Sequence, residues 1–491
     1  MNPNTAEIVA KLWRECKTLQ SAGVSYANYV NELTYLLFLK MLEETGQESR
    51  LPNGHSWRKL AGTEGGDQLQ YYKEMLLELG NPEETKDPVT LAIFTDAMTH
   101  LRLPKDLKTL TTNIDKLDWF TAREDGLGDL YEGLLEKTTS ATKSKAGQYF
   151  TPRALIDSII RLIKPKAGEV IQDPAAGTGG FLIAADSYIK DATDDLFKLS
   201  EEQGNFQRRQ AFQGHEWVPD THRLCVMNML LHGIESIVGC EDTCAPQGET
   251  LGKADVILTN PPFNKMSGNV NRPDFTITAG ERVGPMPFLE HAVRNLKKGG
   301  RCAIVMPDNI LFGDGTGTEL RRFLMVNCNL HTILRLPTGI FYAQGVKTNV
   351  LFFTRVTDEV YPAEYEKQGT EEVWFYDLRA NMPSFGKTNA LTEKHFEEFE
   401  GLYGSDPLGG SPREEQGEEG RWRKLTREQI AERGDNLDWA WLRDESGDHE
   451  DEMTEPDEIA EAIMGHLRAA LNEIEALAEE LEVAAQPEAV E

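Results

Sequence analysis

Apolar residues recur at helical spacing through the start of the chain: Ile8, Leu12 and Leu19, then Tyr29, Leu33, Leu36, Leu37 and Met41. Similar patterning continues at 70–78 and 89–100, so residues 1–135 read as an N-terminal helical domain. After that the period changes. Short β-type runs at 168–172, 211–216, 236–242 and 254–259 alternate with helical stretches such as Phe181 to Ile189. A helix from Phe288 to Lys297 precedes a buried strand ending at Met306, and a helix near 318–326 leads to a strand at 332–337. Runs at 349–355 and 372–377 supply late strands, including an antiparallel one. Alternation of this kind predicts an α/β domain over 136–385 with a doubly wound, mostly parallel sheet. Residues 386–491 form a third region, an acidic linker and a C-terminal partner-binding helix. Within it, 403–422 is rich in Gly, Pro, Ser and charge and reads as a linker. Thr454-Glu-Pro-Asp457 can cap a helix on which Ile459, Ile463, Leu467, Leu471, Ile474, Leu477 and Leu481 make one apolar stripe. A stripe that narrow needs a cover, either a partner helix or the chain's own core.

Composition sets limits on this picture. At 491 residues the chain can bury a substantial core in two or three units. It has no apolar stretch near the ~20 residues that span a bilayer, so a soluble, cytoplasmic protein without a membrane partner is expected. Six cysteines scattered singly suggest reduced thiols. Cys240, Cys244 and His215 do not have zinc-site spacing, and no metal is expected. The net charge of −30 looks unfavourable for a DNA-binding protein. From Val356 on, however, 12 Lys+Arg stand against 37 Asp+Glu, a net −25 that leaves −5 for the first 355 residues. Lys137, Lys143, Lys145 and Arg153 form a local basic cluster, suited to phosphates or simply to a solvated loop.

Candidate chemistry begins where the run Ala254-Asp-Val-Ile-Leu-Thr meets Asn260, Pro261, Pro262 and Phe263. The amine of an adenine or an amide is a poor nucleophile because its lone pair is delocalised. Two acceptors, the Asn260 side-chain oxygen and the Pro261 carbonyl, can take both N–H hydrogens and leave the lone pair facing an electrophile. The consecutive prolines fix the backbone in advance, and Phe263 offers a flat face to an extruded base. A Pro-Pro turn that merely closes a strand is the alternative. Asn264 to Met286 is a polar, glycine-containing connection without periodicity, expected to be mobile in the absence of DNA.

Upstream, Asp173-Pro-Ala-Ala-Gly-Thr-Gly-Gly-Phe181 makes a strand–turn–helix junction with an acid where a pyrophosphate would be repelled. S-adenosylmethionine fits better, because its cationic groups want Asp173 while Gly177 and Gly179 let the backbone approach. Glu216, at the next strand end, suits the ribose hydroxyls. Asp242 suits the cofactor's adenine amine, although the adjacent Glu241 is an equal choice from sequence.

Gly147-Gln-Tyr-Phe-Thr-Pro-Arg153, the Asp173–Leu182 motif, Asn260-Pro-Pro-Phe263 and Leu334-Arg-Leu-Pro-Thr-Gly-Ile-Phe341 occur in this order. Together they resemble the modification subunit of a type I restriction-modification system, a DNA adenine-N6 methyltransferase, over roughly residues 5–385 and the helical tail. The resemblance implies a seven-stranded-type methyltransferase sheet and a catalytic Asn260-Pro-Pro-Phe263 loop. It also implies cofactor contacts from Gln148, Tyr149, Phe150, Thr151, Ala175, Thr178, Gly180 and Asn260. Phe341 becomes a second base-stacking candidate beside Phe263, with a core phenylalanine as the alternative. The family's acid commonly follows a glycine directly, whereas here the text is Cys240-Glu-Asp-Thr243. Implied partners are double-stranded DNA, a specificity subunit with two modification subunits to each, and a restriction subunit. A protein-glutamine methyltransferase, whose loop usually carries tyrosine in place of Phe263, and a non-catalytic cofactor-binding scaffold are the rival readings.

Overall fold

The computed structural model describes residues 9–14, 24–52, 54–117, 119, 128, 131–135, 151–264, 268–341, 346–383, 385, 389–442 and 464. They belong to two compact units, one of residues 1–150 and 165–251, the other of 151–164 and 252–491.

The first unit opens with helices α1 (Tyr26–Glu44), α2 (Trp57–Gly62), α3 (Gly65–Leu79), α4 (Pro88–Phe94) and α5 (Pro104–Asp115). Helix α6 (Arg153–Ile163) belongs to the second unit. The first continues with β1 (Ile171–Asp173), α7 (Gly180–Thr193), α8 (Glu201–Arg209), β2 (Phe212–Gly214) and α9 (Pro219–Leu231). Its two strands pair in parallel, Ile171 opposite Phe212 and Asp173 opposite Gly214. Helix α9 packs with the preceding helices. Val226 and Met227 join the same apolar core as Tyr35, Phe38 and Phe94. Arg223, buried, donates to the carbonyls of Ile93 (2.6 Å) and Thr95 (3.0 Å) and lies over the Tyr35 ring. The carbonyls that end α4 thus find a cation instead of water.

In the second unit follow β3 (Ala254–Thr259), α10 (Pro285–Asn295), β4 (Leu296–Pro307), α11 (Asn309–Phe312), α12 (Thr316–Asn327), β5 (Cys328–Arg335), β6 (Thr348–Arg355), β7 (Glu372–Asp377), α13 (Glu397–Tyr403), β8 (Trp422–Thr426) and α14 (Arg427–Glu432). Their sheet order is β3-β4-β6-β5-β7-β8. β3 and β4 run parallel, as do β5 and β7, while β6 is antiparallel to both β4 and β5. Every residue of β6 is buried, and its centre, 350–353, is the apolar Val-Leu-Phe-Phe.

Two expectations change. The run 236–242 is not a strand; it contributes an isolated bridge, His215 to Gly239. The stretch 403–422 is folded: Arg413 lies over the rings of Tyr403 and Trp422, and β8 pairs antiparallel with β7. Its Gly and Pro content marks tight turns packed against the sheet; Gly409, for instance, lies where a Cβ would come within 2.3 Å of His331. In the connection after Phe263, residues 268–286 carry hydrogen bonds of their own. The Val270 N–H donates to the Glu281 carbonyl at 2.8 Å and the Val270 carbonyl accepts from the Gly280 N–H at 2.9 Å, while Glu290 of α10 accepts from the backbone N–H groups of Thr276 and Thr278 at 2.9 and 2.8 Å. The C-terminal stripe, 459–481, lies outside the described residues apart from position 464.

Candidate active site

In the first unit the sequence-predicted cofactor residues meet at the carboxyl ends of β1 and β2. Asp173 is buried, and its Oδ1 accepts the Ala175 N–H at 3.1 Å, which turns the chain away from the strand. Gly177 and Gly179 have φ of +56° and +82°, a conformation that side chains disfavour. Gly179 is also tight, since a Cβ there would lie 3.2 Å from Cys225 Sγ. Gly180 begins α7, and the Thr178 carbonyl accepts from Asn228 Nδ2 at 2.9 Å. Gly214 has no room at all: a Cβ would stand 2.5 Å from the Asp173 carbonyl oxygen.

Glu216 leaves β2 half-buried, its two oxygens accepting the N–H groups of Gly177 (3.0 Å) and Val218 (2.8 Å). Burial pushes its carboxyl up to about 7 in spite of those bonds. The turn after Gly239 is tied to the glycine-rich turn by Thr243 Oγ1, which donates to the Pro174 carbonyl at 2.6 Å. Here the two candidate acids diverge. Glu241 Oε2 faces His215 Nε2 at 3.7 Å, while Asp242 Oδ1 caps the Cys244 N–H at 2.8 Å. Trp217, next to Glu216 and 45% exposed, is a residue the sequence reading passed over. An aromatic directly after a strand-end acid was the available signal.

The second unit holds the catalytic candidates. Asn260 follows β3, and its Nδ2 donates to Thr151 Oγ1 at 3.0 Å. Its Oδ1 is buried and has no hydrogen-bond partner among the described residues. A buried, unpaired amide oxygen is costly, so its presence points to a ligand donor. Pro261 is buried, Pro262 half-buried, and Phe263 packs edge-on to Phe341 with ring centroids 5.3 Å apart. Phe341 is 3% exposed and Phe263 7%, so both rings are largely buried. Gln148, Tyr149 and Phe150 lie outside the described residues. Among the described residues, no cluster of three or more His, Cys, Asp or Glu is placed to hold a metal ion, and no helix is long and apolar enough to cross a membrane.

Taken by itself, the acceptor-bearing Asn-Pro-Pro-Phe loop suits an amine substrate; taken by itself, the glycine-rich, acid-lined turn suits a nucleoside-type ligand. The N-6 DNA methylase family matches residues 122–450. This chain belongs to that family. Among relatives of known type, it is 47% identical to the type I restriction enzyme StySJI methylase subunit of Salmonella typhimurium, covering 97% of this chain and 96% of that one. It is likewise similar to the crystal structure of the EcoKI M protein, at 42% identity and a TM-score of 0.56, over 99% and 98% of the two chains. A chain from a structure of type I restriction-modification complex assembly and conformational transition matches with a TM-score of 0.69, at 26% identity over 98% and 99%. As an N-6 DNA methylase of this type I branch, the chain is an adenine DNA methyltransferase, which sets aside the protein-glutamine and scaffold readings.

Proposed function

We propose that this N-6 DNA methylase uses S-adenosylmethionine to methylate the exocyclic N6 of an adenine turned out of double-stranded DNA. In this reading it acts as the modification subunit of an assembly whose sequence choice comes from a separate specificity subunit. The buried, unpartnered Oδ1 of Asn260 is the observation that carries the reading. With Nδ2 held by Thr151, the amide is locked so that its oxygen takes one N–H of the target amine and the Pro261 carbonyl takes the other. Phe263 stacks on the extruded base, supported from behind by Phe341.

The methyl donor supplies an electrophilic carbon next to a cationic sulfur. The residues of the first unit fit such a ligand. Asp173 answers its positive charge, and the turn Ala175–Gly180 presents backbone without obstructing side chains. Glu216 takes the ribose hydroxyls, Trp217 lies against the purine, and Asp242 takes the adenine amine, with the adjacent Glu241 as the alternative acid. No covalent enzyme intermediate is required. A specificity subunit, bound in a ratio of one to two modification subunits, and a restriction subunit complete the assembly.

The test is to map N6-methyladenine in a methylation-free host that expresses the chain alone or with the neighbouring specificity subunit. Marks at one split motif, only with the partner and abolished by Asn260→Ala, are expected. Full methylation by Asn260→Ala would sink the mechanism.

A further inference from the structure

We infer that Arg379 is a positioning residue for the base-stacking wall, acting through the Leu336–Phe341 stretch; this rests on the proposed role of Phe263. The guanidinium grips Asp308 with both ends, Nη1 to Oδ2 at 2.7 Å and Nη2 to Oδ1 at 2.8 Å. The same group donates to the Leu336 carbonyl through Nε and to the Thr348 carbonyl through Nη2, both at 3.0 Å. Asp308 follows β4, Leu336 follows β5, Thr348 opens β6, and Arg379 lies just past β7. One planar group therefore ties four strand ends together.

Leu336 and Thr348 are the neck of the loop that contains Phe341. The neck is closed by Leu336 N–H to the Thr348 carbonyl at 2.9 Å and by Asp308 N–H to the Lys347 carbonyl at 3.0 Å. Asn349 Nδ2 adds a 2.7 Å bond to Asp308 Oδ1. The pair is shielded, with side chains 10% and 16% exposed. Burial would raise the Asp308 carboxyl, but Arg379 and Asn349 outweigh it and hold the carboxyl below its ordinary range. A shielded ion pair is weak evidence for stability, since apolar residues could close the same gap at less desolvation cost. Its distinctive property is geometry: a rigid fork fixes the loop neck, the neck fixes Phe341, and Phe341 fixes the ring of Phe263 5.3 Å away.

The test is a double-mutant cycle in the full chain with its specificity subunit, using Arg379→Met, Phe341→Leu and both together, with Arg379→Lys as the charge-retaining variant. Turnover should fall about 10- to 100-fold in Arg379→Met, the scale of a misplacement near 1 Å, with methyl-donor affinity within about twofold of wild type. Arg379→Lys should fall between the two. The double variant should be no slower than the slower single one, because both act on the same ring. Independent effects that multiply, a parallel loss of donor affinity, or wild-type turnover in Arg379→Met would each overturn the inference. If Arg379→Met does not fold, Arg379→Lys replaces it in the cycle with the same criteria. Asn260→Ala, measured alongside, separates the two failures: full turnover there removes the proposed function itself, whereas multiplying effects remove only the role of Arg379.

Discussion

Thr151 and Glu216 show how single side chains decide what the site can do. Sequence resemblance assigns Thr151 to the cofactor, yet its hydroxyl oxygen accepts from the amide of Asn260. Thr151→Val keeps the shape and removes the acceptor. Turnover should then drop about 10-fold, as Asn260 loses its fixed orientation, with donor affinity unchanged in calorimetry. Weakened donor binding at unchanged turnover would restore the cofactor role. Glu216 carries a pH signature. Its carboxyl is pushed up to about 7 by burial, so the folded protein keeps a proton that the unfolded chain has lost. Stability accordingly declines as pH rises from the ordinary carboxylate range to 7. Two donating ribose hydroxyls favour the ionised form and lower this pKa on binding. Donor affinity should thus strengthen by up to about tenfold per pH unit on approaching neutrality from below, then level off. Calorimetry in buffers of different ionisation enthalpy should detect the released proton. Glu216→Gln should bind more weakly and with a flat profile, and an unchanged slope in that variant would refute the assignment.

At the scale of elements, tight packing determines which expectations survive. Gly214→Ala would push a Cβ against the Asp173 carbonyl, backbone that can yield only by shifting β1 against β2. A loss of roughly 1–3 kcal/mol and a weakened donor site should follow, measured by denaturant melts and donor titration. Glu290 makes a second case. Burial would raise its carboxyl, but bonds from Thr278, Thr276 and Arg294 hold it below the ordinary range. Glu290→Ala should release the 276–278 stretch and expose it to protease, with β3 to β8 still folded by circular dichroism; an unchanged cleavage pattern would mean that the hairpin holds itself. The sequence could not announce this anchor, because Glu290 lies on α10, beyond the segment it holds, and only folding brings it there. Strands such as β3, β6 and β7 were legible because their apolar runs are long and buried. The run 236–242 failed since it ends in two adjacent acids, Glu241 and Asp242, and is interrupted by Gly239, which leaves it with a single bridge. β8 was missed because Trp422 and Leu425 sit among charges that look like a linker. Within the site, the Asn-Pro-Pro-Phe loop and the glycine turn were readable as local text. The Asn260–Thr151 bond and the Arg379 clasp were not, since they join residues more than thirty positions apart.

For the whole molecule, charge distribution limits what the chain can do alone. Of the net −30, −25 falls on residues from 356 onward, and the remainder is almost balanced. DNA binding without sequence information is driven by counterion release, about 0.9 of a logarithmic unit of salt dependence for each phosphate neutralised. A nearly neutral body with an acidic end can neutralise few phosphates. The isolated chain should therefore bind duplex DNA weakly, with a salt slope no steeper than about 2. Adding the specificity subunit should raise affinity and steepen the slope together, because the added phosphate contacts would belong to the partner. Removing residues 454–491, which carry the apolar stripe and many of the acids, separates two explanations. If the stripe docks the partner, partner-dependent methylation disappears while donor binding remains, and shedding acid does not rescue it. If the acids only repel DNA, the shortened chain binds duplex more tightly and still methylates with the partner. The first outcome is expected, since a one-sided apolar stripe stays soluble only when covered, whereas acids alone need no such periodicity.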